Sequence, residues 1–211
     1  MKFGKTLFAS VALVASLGAQ AVPVTGSLGG GSATPLLLSS PATCTLATPC
    51  SLTGVVNASI VGGTIVHDDQ PFADIPKGAV PGGNFLSAGP TTTQDSTISF
   101  SSGLSYVSFL WGSPDLYNAL TVKTSAGDFA FTAAGLGFSV TNGDQSFSQY
   151  VQFSADAGVT IKGLVFSNSP VVDAFEVANF NVTAVPEPET YVLMLAGLGA
   201  VGFINRRRRK A

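Results

Sequence analysis

Hydrophobic and polar residues alternate through the middle of the chain. In YVSFLW, Val107, Phe109 and Trp111 fall on one side and Tyr106, Ser108 and Leu110 on the other. That two-residue period belongs to an extended strand with one face turned to a core. STISF, ALTVK, FAFTA, QYVQF, VTIKGLVF and AFEVANFNV are further short stretches rich in Val, Ile, Thr and Phe. Gly, Asn, Asp, Ser and Pro separate them at intervals of roughly 8–12 residues, as in sandwiches and jelly rolls. The stretch between the termini shows no persuasive helical period, so the pattern predicts an all-β domain of β-sandwich or jelly-roll type. In the closing stretch Phe175 and Val177 share one phase, whereas Phe180 and Val182 occupy the other. A bulge near Ala178-Asn179 would reconcile the two.

Both ends break the alternation. Lys2 and Lys5 precede an apolar stretch from Leu7 to Leu17, which Ala19-Gln20-Ala21 closes. A charged start, an apolar middle and an A-x-A site form a secretory signal peptide, here residues 1–21, cut by signal peptidase after Ala21. At the other end Val185-Pro186-Glu187-Pro188-Glu189-Thr190 leads into fourteen uncharged residues, Tyr191 to Ile204, and then Arg206, Arg207, Arg208, Arg209 and Lys210. Proline fixes φ, so the VPEPE motif should stand away from the body as an extended handle. The apolar run predicts a single hydrophobic helix, with the five cations as a stop that stays cytoplasmic. Fourteen helical residues reach roughly 21 Å, short of a hydrocarbon core of ~30 Å. Snorkelling basic stems and local thinning supply part of the difference, and a weak anchor suits a temporary one. The alternative is a buried core helix, against which five consecutive cations argue.

Between the ends, residues 22–41 read as a flexible Gly/Ser/Pro linker, GSLGGGSATP, with Leu36-Leu37-Leu38 as a first edge strand. Residues 42–184 form the β domain. From Val22 to Ala184 three lysines (Lys77, Lys123 and Lys162) face ten acidic residues, a formal charge of −7, with no arginine. Such a surface repels phosphate backbones and excludes nucleic acid as a partner.

Cys44 and Cys50, the two cysteines, have five residues between them. Outside the cytoplasm such a pair predicts a disulfide, a local staple of about 2 kcal/mol at most. Catalysis finds little support: His67 is the sole histidine, too few nitrogen and sulfur ligands surround it for zinc, and no G-x-S-x-G elbow is present. The expectation is a protein that is not an enzyme.

Taken together, VPEPET, the apolar helix and RRRRK resemble the PEP-CTERM sorting signal of exosortase-processed bacterial surface proteins, over Val185 to Ala211. The resemblance implies export, transient retention in the inner membrane of a Gram-negative bacterium, and processing near Pro186-Glu187-Pro188 by a membrane-embedded exosortase. It also implies a final place at the cell surface or in an exopolysaccharide matrix. Trp111-Gly112-Ser113-Pro114-Asp115-Leu116-Tyr117-Asn118 is similar to a WGS-x-D-x-YN segment of one family of exosortase-dependent surface proteins. NSPVVDAFEVANF resembles that family's closing strand, with Ala178 in place of an acidic residue.

These segments hold the candidate ligand residues. Asp115, Asn118, Asp173, Glu176 and Asn179 are oxygen donors suited to Ca²⁺ if they converge; otherwise they cap turns and bond local backbone, the reading favoured here. Trp111 and Tyr117 could stack on a sugar, but Trp111 is in phase with Val107 and Phe109 and is expected in the core. No cofactor other than Ca²⁺ is considered. The sequence therefore predicts an exported structural or adhesive envelope protein linked to exopolysaccharide. The alternative is a carbohydrate- or calcium-binding module using the WGSPDLYN loop.

Overall fold

The computed structural model describes residues 23–32, 34–53, 57–80, 83–92, 95–186, 193–198 and 201. The predicted signal peptide, Glu187, Pro188, Glu189 and the basic residues Arg206 to Lys210 lie outside this set. Of the predicted C-terminal helix, residues 193–198 and 201 are described; they are helical and exposed. Among the described residues no helix is long and apolar enough to cross a membrane.

The body is all-β. Among the described residues its strands are thirteen: β1 (Val24–Leu28), β2 (Leu37–Leu38), β3 (Ala42–Thr43), β4 (Cys50–Thr53), β5 (Ala58–Val61), β6 (Thr64–Val66), β7 (Phe85–Ala88), β8 (Ser96–Gly112), β9 (Asn118–Thr124), β10 (Gly127–Thr132), β11 (Ser148–Ala155), β12 (Ile161–Asn168) and β13 (Phe175–Ala184). All belong to one hydrogen-bonded, curled sheet with the main order β10-β9-β12-β8-β13-β7-β6-β3, and every pairing is antiparallel.

The sheet is built around β8. STISF and YVSFLW, which read as separate strands, are one strand of 17 residues. Its first half pairs with β5 and β12, and its second half with β11 and β13. Ser101, Ser102, Gly103 and Ser105 between the halves do not form a turn. Small residues here let a long strand bend and change partners, and the ladders to β12 and β13 both shift register opposite this region.

The inner face carries the core. Phe109, Trp111, Phe153, Phe166, Phe175 and Phe180 are fully buried. Trp111 stacks on Phe175 with ring centroids 4.3 Å apart, and Phe109 meets Phe166 edge-on at 5.4 Å. A smaller apolar cluster joins Val66, Ala73, Phe85, Ala174 and Ala178.

The linker expectation needs correction. Val24–Leu28 is not flexible but pairs along its whole length with β11. The glycines after it serve close approach: a Cβ on Gly30, where φ is +92°, would lie 2.6 Å from the Ser108 Cβ. The Gly31 N–H donates to Ser108 Oγ at 3.2 Å. Leu37–Leu38 pairs with β4 as a short strand. Two other expectations are met. Cys44 and Cys50 are disulfide-bonded, and the β8–β13 ladder shifts register between Ala178 and Asn181, where the bulge was placed.

Candidate functional site

β8 ends at Gly112, and the chain turns at Ser113 (φ 38°) before β9 begins at Asn118. Asn118 makes this turn. Its side-chain Oδ1 accepts the Asp115 N–H at 2.7 Å, while its own N–H donates to the Asp115 carbonyl at 3.2 Å. The Asn118 side chain is fully buried. Its Nδ2 donates to Asn168 Oδ1 at 2.9 Å and to the Ala174 carbonyl at 3.3 Å. Asn168 in turn donates to the carbonyls of Ala88 and Val172, at 3.0 and 2.7 Å. The two asparagines thus tie the loop after β8 to the loop before β13.

That second loop is fixed from two further sides. The Tyr117 hydroxyl donates to the Asp173 carbonyl at 2.7 Å. The Asp173 carboxylate accepts the Thr91 N–H at 3.1 Å and also the Thr91 hydroxyl.

Asp115, Tyr117, Asp173 and Glu176 consequently line one cleft of about 460 Å³, together with Gln70, Phe72, Ser113 and Gln145. Its floor includes Ala73 and Ala174 of the smaller apolar cluster. Glu176 is the unusual member: its residue is only 4% exposed, and its Oε2 is buried without a hydrogen-bond partner. Burial pushes its carboxyl well above the usual range; the backbone N–H groups of Glu176 and Asp74 pull the other way, and the charges of Asp74 and Asp115 add to the rise. Tyr117 is raised too, first by burial and then by Asp115, with Glu176 and Asp173 adding repulsion.

A second hollow of about 580 Å³ shares Gly143 and Gln145 with the cleft and is lined by Asp69, Asp74 and Asp144. Asp74 is raised by burial and by Asp69. Asp144 is lowered because its carboxylate accepts the Ser146 hydroxyl and N–H, at 2.7 and 2.9 Å, and Lys77 contributes further lowering.

The predicted ligand residues therefore divide. Trp111 is core, as its phase predicted, and its indole N–H donates to Asn118 Oδ1 at 3.4 Å. Asn118 holds the turn. Asn179 sits at the β13 bulge with φ 53°, a conformation that asparagine tolerates better than most residues. Its Oδ1 accepts the Val80 N–H at 3.1 Å, and its Nδ2 donates to the Gly78 carbonyl at 3.1 Å and to the Tyr150 hydroxyl at 2.9 Å. The five oxygen donors do not converge as a set: three reach the cleft, and both asparagines are engaged in packing. Among the described residues no three His, Cys, Asp or Glu side chains are grouped to hold a metal ion. His67 lies apart, its Nδ1 3.1 Å from Asn84 Oδ1.

Sequence reasoning missed Phe72 and the second hollow, and it took in Asn168 only as the first residue of NSPVVDAFEVANF. Asn168 closes the VTIKGLVFSN stretch and looks like ordinary turn punctuation; HDDQPFAD, which holds Asp69, Phe72 and Asp74, looks like a solvated loop.

Residues 184–210 match the family described as the PEP-CTERM protein-sorting motif. The motif indicates exosortase-dependent sorting of an exported precursor that transits a membrane. No curated protein matches the chain.

Proposed function

We propose that this chain is a precursor held briefly in the inner membrane of a Gram-negative bacterium by its C-terminal segment. Exosortase processing near Pro186-Glu187-Pro188 then delivers the β body to the cell surface or extracellular matrix. There it has a structural or adhesive, non-enzymatic role linked to exopolysaccharide. One observation carries this reading. The sheet and the sorting motif meet at a single point: β13 ends at Ala184, and the match begins at residue 184. The Val185 N–H still donates to the Gly103 carbonyl at 2.9 Å. Processing beyond Val185 would leave the ladder between β13 and β8 whole. For the body we keep the sandwich reading, supported by the way β8 serves different neighbours in its two halves.

Replacing Pro186 and Pro188 together by alanine tests the sorting step. The expected result is a full-length precursor retained in the membrane fraction. Release of the body at the unchanged rate would overturn it.

A second reading is favoured by the convergence of Asp115, Tyr117, Asp173 and Glu176: the body binds saccharide in this cleft. The volume falls within the roughly 300–1,000 Å³ of small-ligand sites, and its lining combines polar groups with Phe72.

A further inference from the structure

We propose that the cleft and the adjoining hollow form one groove for a positively charged saccharide, a chain of amino sugars bearing free ammonium groups. This rests on the second reading above and specifies its ligand.

The first argument is charge. Asp115, Asp173 and Glu176 line the cleft, Asp69, Asp74 and Asp144 line the hollow, and no basic residue is among the described lining of either. Among the described residues the ion pair is Lys123–Asp128 at 3.2 Å, which involves neither cavity. Lys77 lowers Asp144 through its charge. Even with Glu176 protonated and Lys77 acting on Asp144, the groove is net acidic, so it attracts cations and repels uronic acids or phosphates.

The second argument is Glu176. The residue lines this cleft, and its Oε2 is buried without a hydrogen-bond partner. A buried carboxyl oxygen without a partner is costly, and a ligand N–H or O–H reaching it would relieve that cost. Tyr117 and Asp74 are raised first by burial, and the further rise from neighbouring carboxylates agrees with a site of negative potential.

The third argument separates an organic cation from a metal ion. No three carboxylates are grouped as metal ligands among the described residues, whereas Phe72 and Tyr117 stand beside the acids. Aromatic rings attract an ammonium group and give a sugar ring an apolar surface. Gln70, Ser113 and Gln145 provide donors and acceptors for hydroxyl groups. The methylene stem of a basic peptide side chain would leave these unused. That both cavities are lined by Gly143 and Gln145 favours a chain over a single ring.

The test is calorimetric titration of the full chain in detergent with five probes: a glucosamine tetramer, its fully N-acetylated counterpart, a glucose tetramer, tetralysine and Ca²⁺. The glucosamine tetramer should bind, and both uncharged tetramers should bind at least about tenfold more weakly. Glu176→Leu, which removes both carboxyl oxygens, should weaken the glucosamine tetramer by about tenfold. Asp144→Asn, at an exposed site where Oδ1 can still accept from Ser146, should weaken it with the melting temperature unchanged. Equal binding of the acetylated or glucose tetramer would overturn the charge assignment and leave the saccharide reading standing. Tighter binding of tetralysine would make the groove a peptide site, and saturation by Ca²⁺ alone a metal site; either overturns the inference. If no probe binds, both the inference and the saccharide reading fail.

Discussion

Glu176 is where one residue carries most consequence. Its folded-state carboxyl is raised above the ordinary value of 4.5, so between these two values the native protein holds a proton that the unfolded chain has released. Stability is therefore greatest below about pH 4.5 as far as this group is concerned, and is lost as pH rises toward the folded value. Thermal melts across that window should show the native protein losing ground to Glu176→Gln as pH increases. Each 1 kcal/mol relieved corresponds to about 2–4 °C for a chain of this size. Parallel pH profiles for the two proteins would contradict the burial argument. Asn179 makes a second test at this scale. Asn179→Ala loses three side-chain hydrogen bonds and places alanine at φ 53°, so urea unfolding should show a loss of about 2–4 kcal/mol. Asn179→Gly tolerates that φ and should lose less. The pair was legible as polar residues in the closing strand, but not their opposite fates. Whether an Asn or Glu side chain turns into a cleft or under a loop depends on contacts from far along the chain.

At the scale of elements, alternation identified the stretches of β8 to β13 but not β1 or β3 to β7, and it even identified the bulge, because two apolar phases within AFEVANFNV cannot share one face without an extra residue. Alternation could not show that β8 runs unbroken through SSGLS. Ser and Gly mark turns by their backbone freedom, and they mark bends within long strands by their small size. The GGG run misled in the same way: Gly30 admits a neighbour at close range instead of giving slack. Gly163 in β12 tests this kind of contact. A Cβ there would lie 2.5 Å from the Ile98 carbonyl oxygen of β8, a backbone atom that cannot turn aside. Gly163→Ala should destabilise the protein by about 1–3 kcal/mol in urea unfolding. Unchanged stability would mean that β12 and β8 are not so closely joined.

For the whole molecule, charge segregation is the main fact. The basic residues concentrate at the ends, where the proposed account has them direct export and retention, and the body between them is left acidic. Addressing was legible in the sequence because handle, apolar run and basic stop are contiguous. The cleft was legible only in part, because its walls come from five separate connections and β13, and HDDQPFAD among them resembled an ordinary solvated loop. The central claim is that the sheet is the working product and that both ends are removed from it. The direct measurement is the intact mass of the protein recovered from its native cell surface or medium. The account predicts a species that lacks residues 1–21 and everything after the VPEPE region, with Ala184 retained. A surface species still carrying Tyr191 to Ala211 would contradict it.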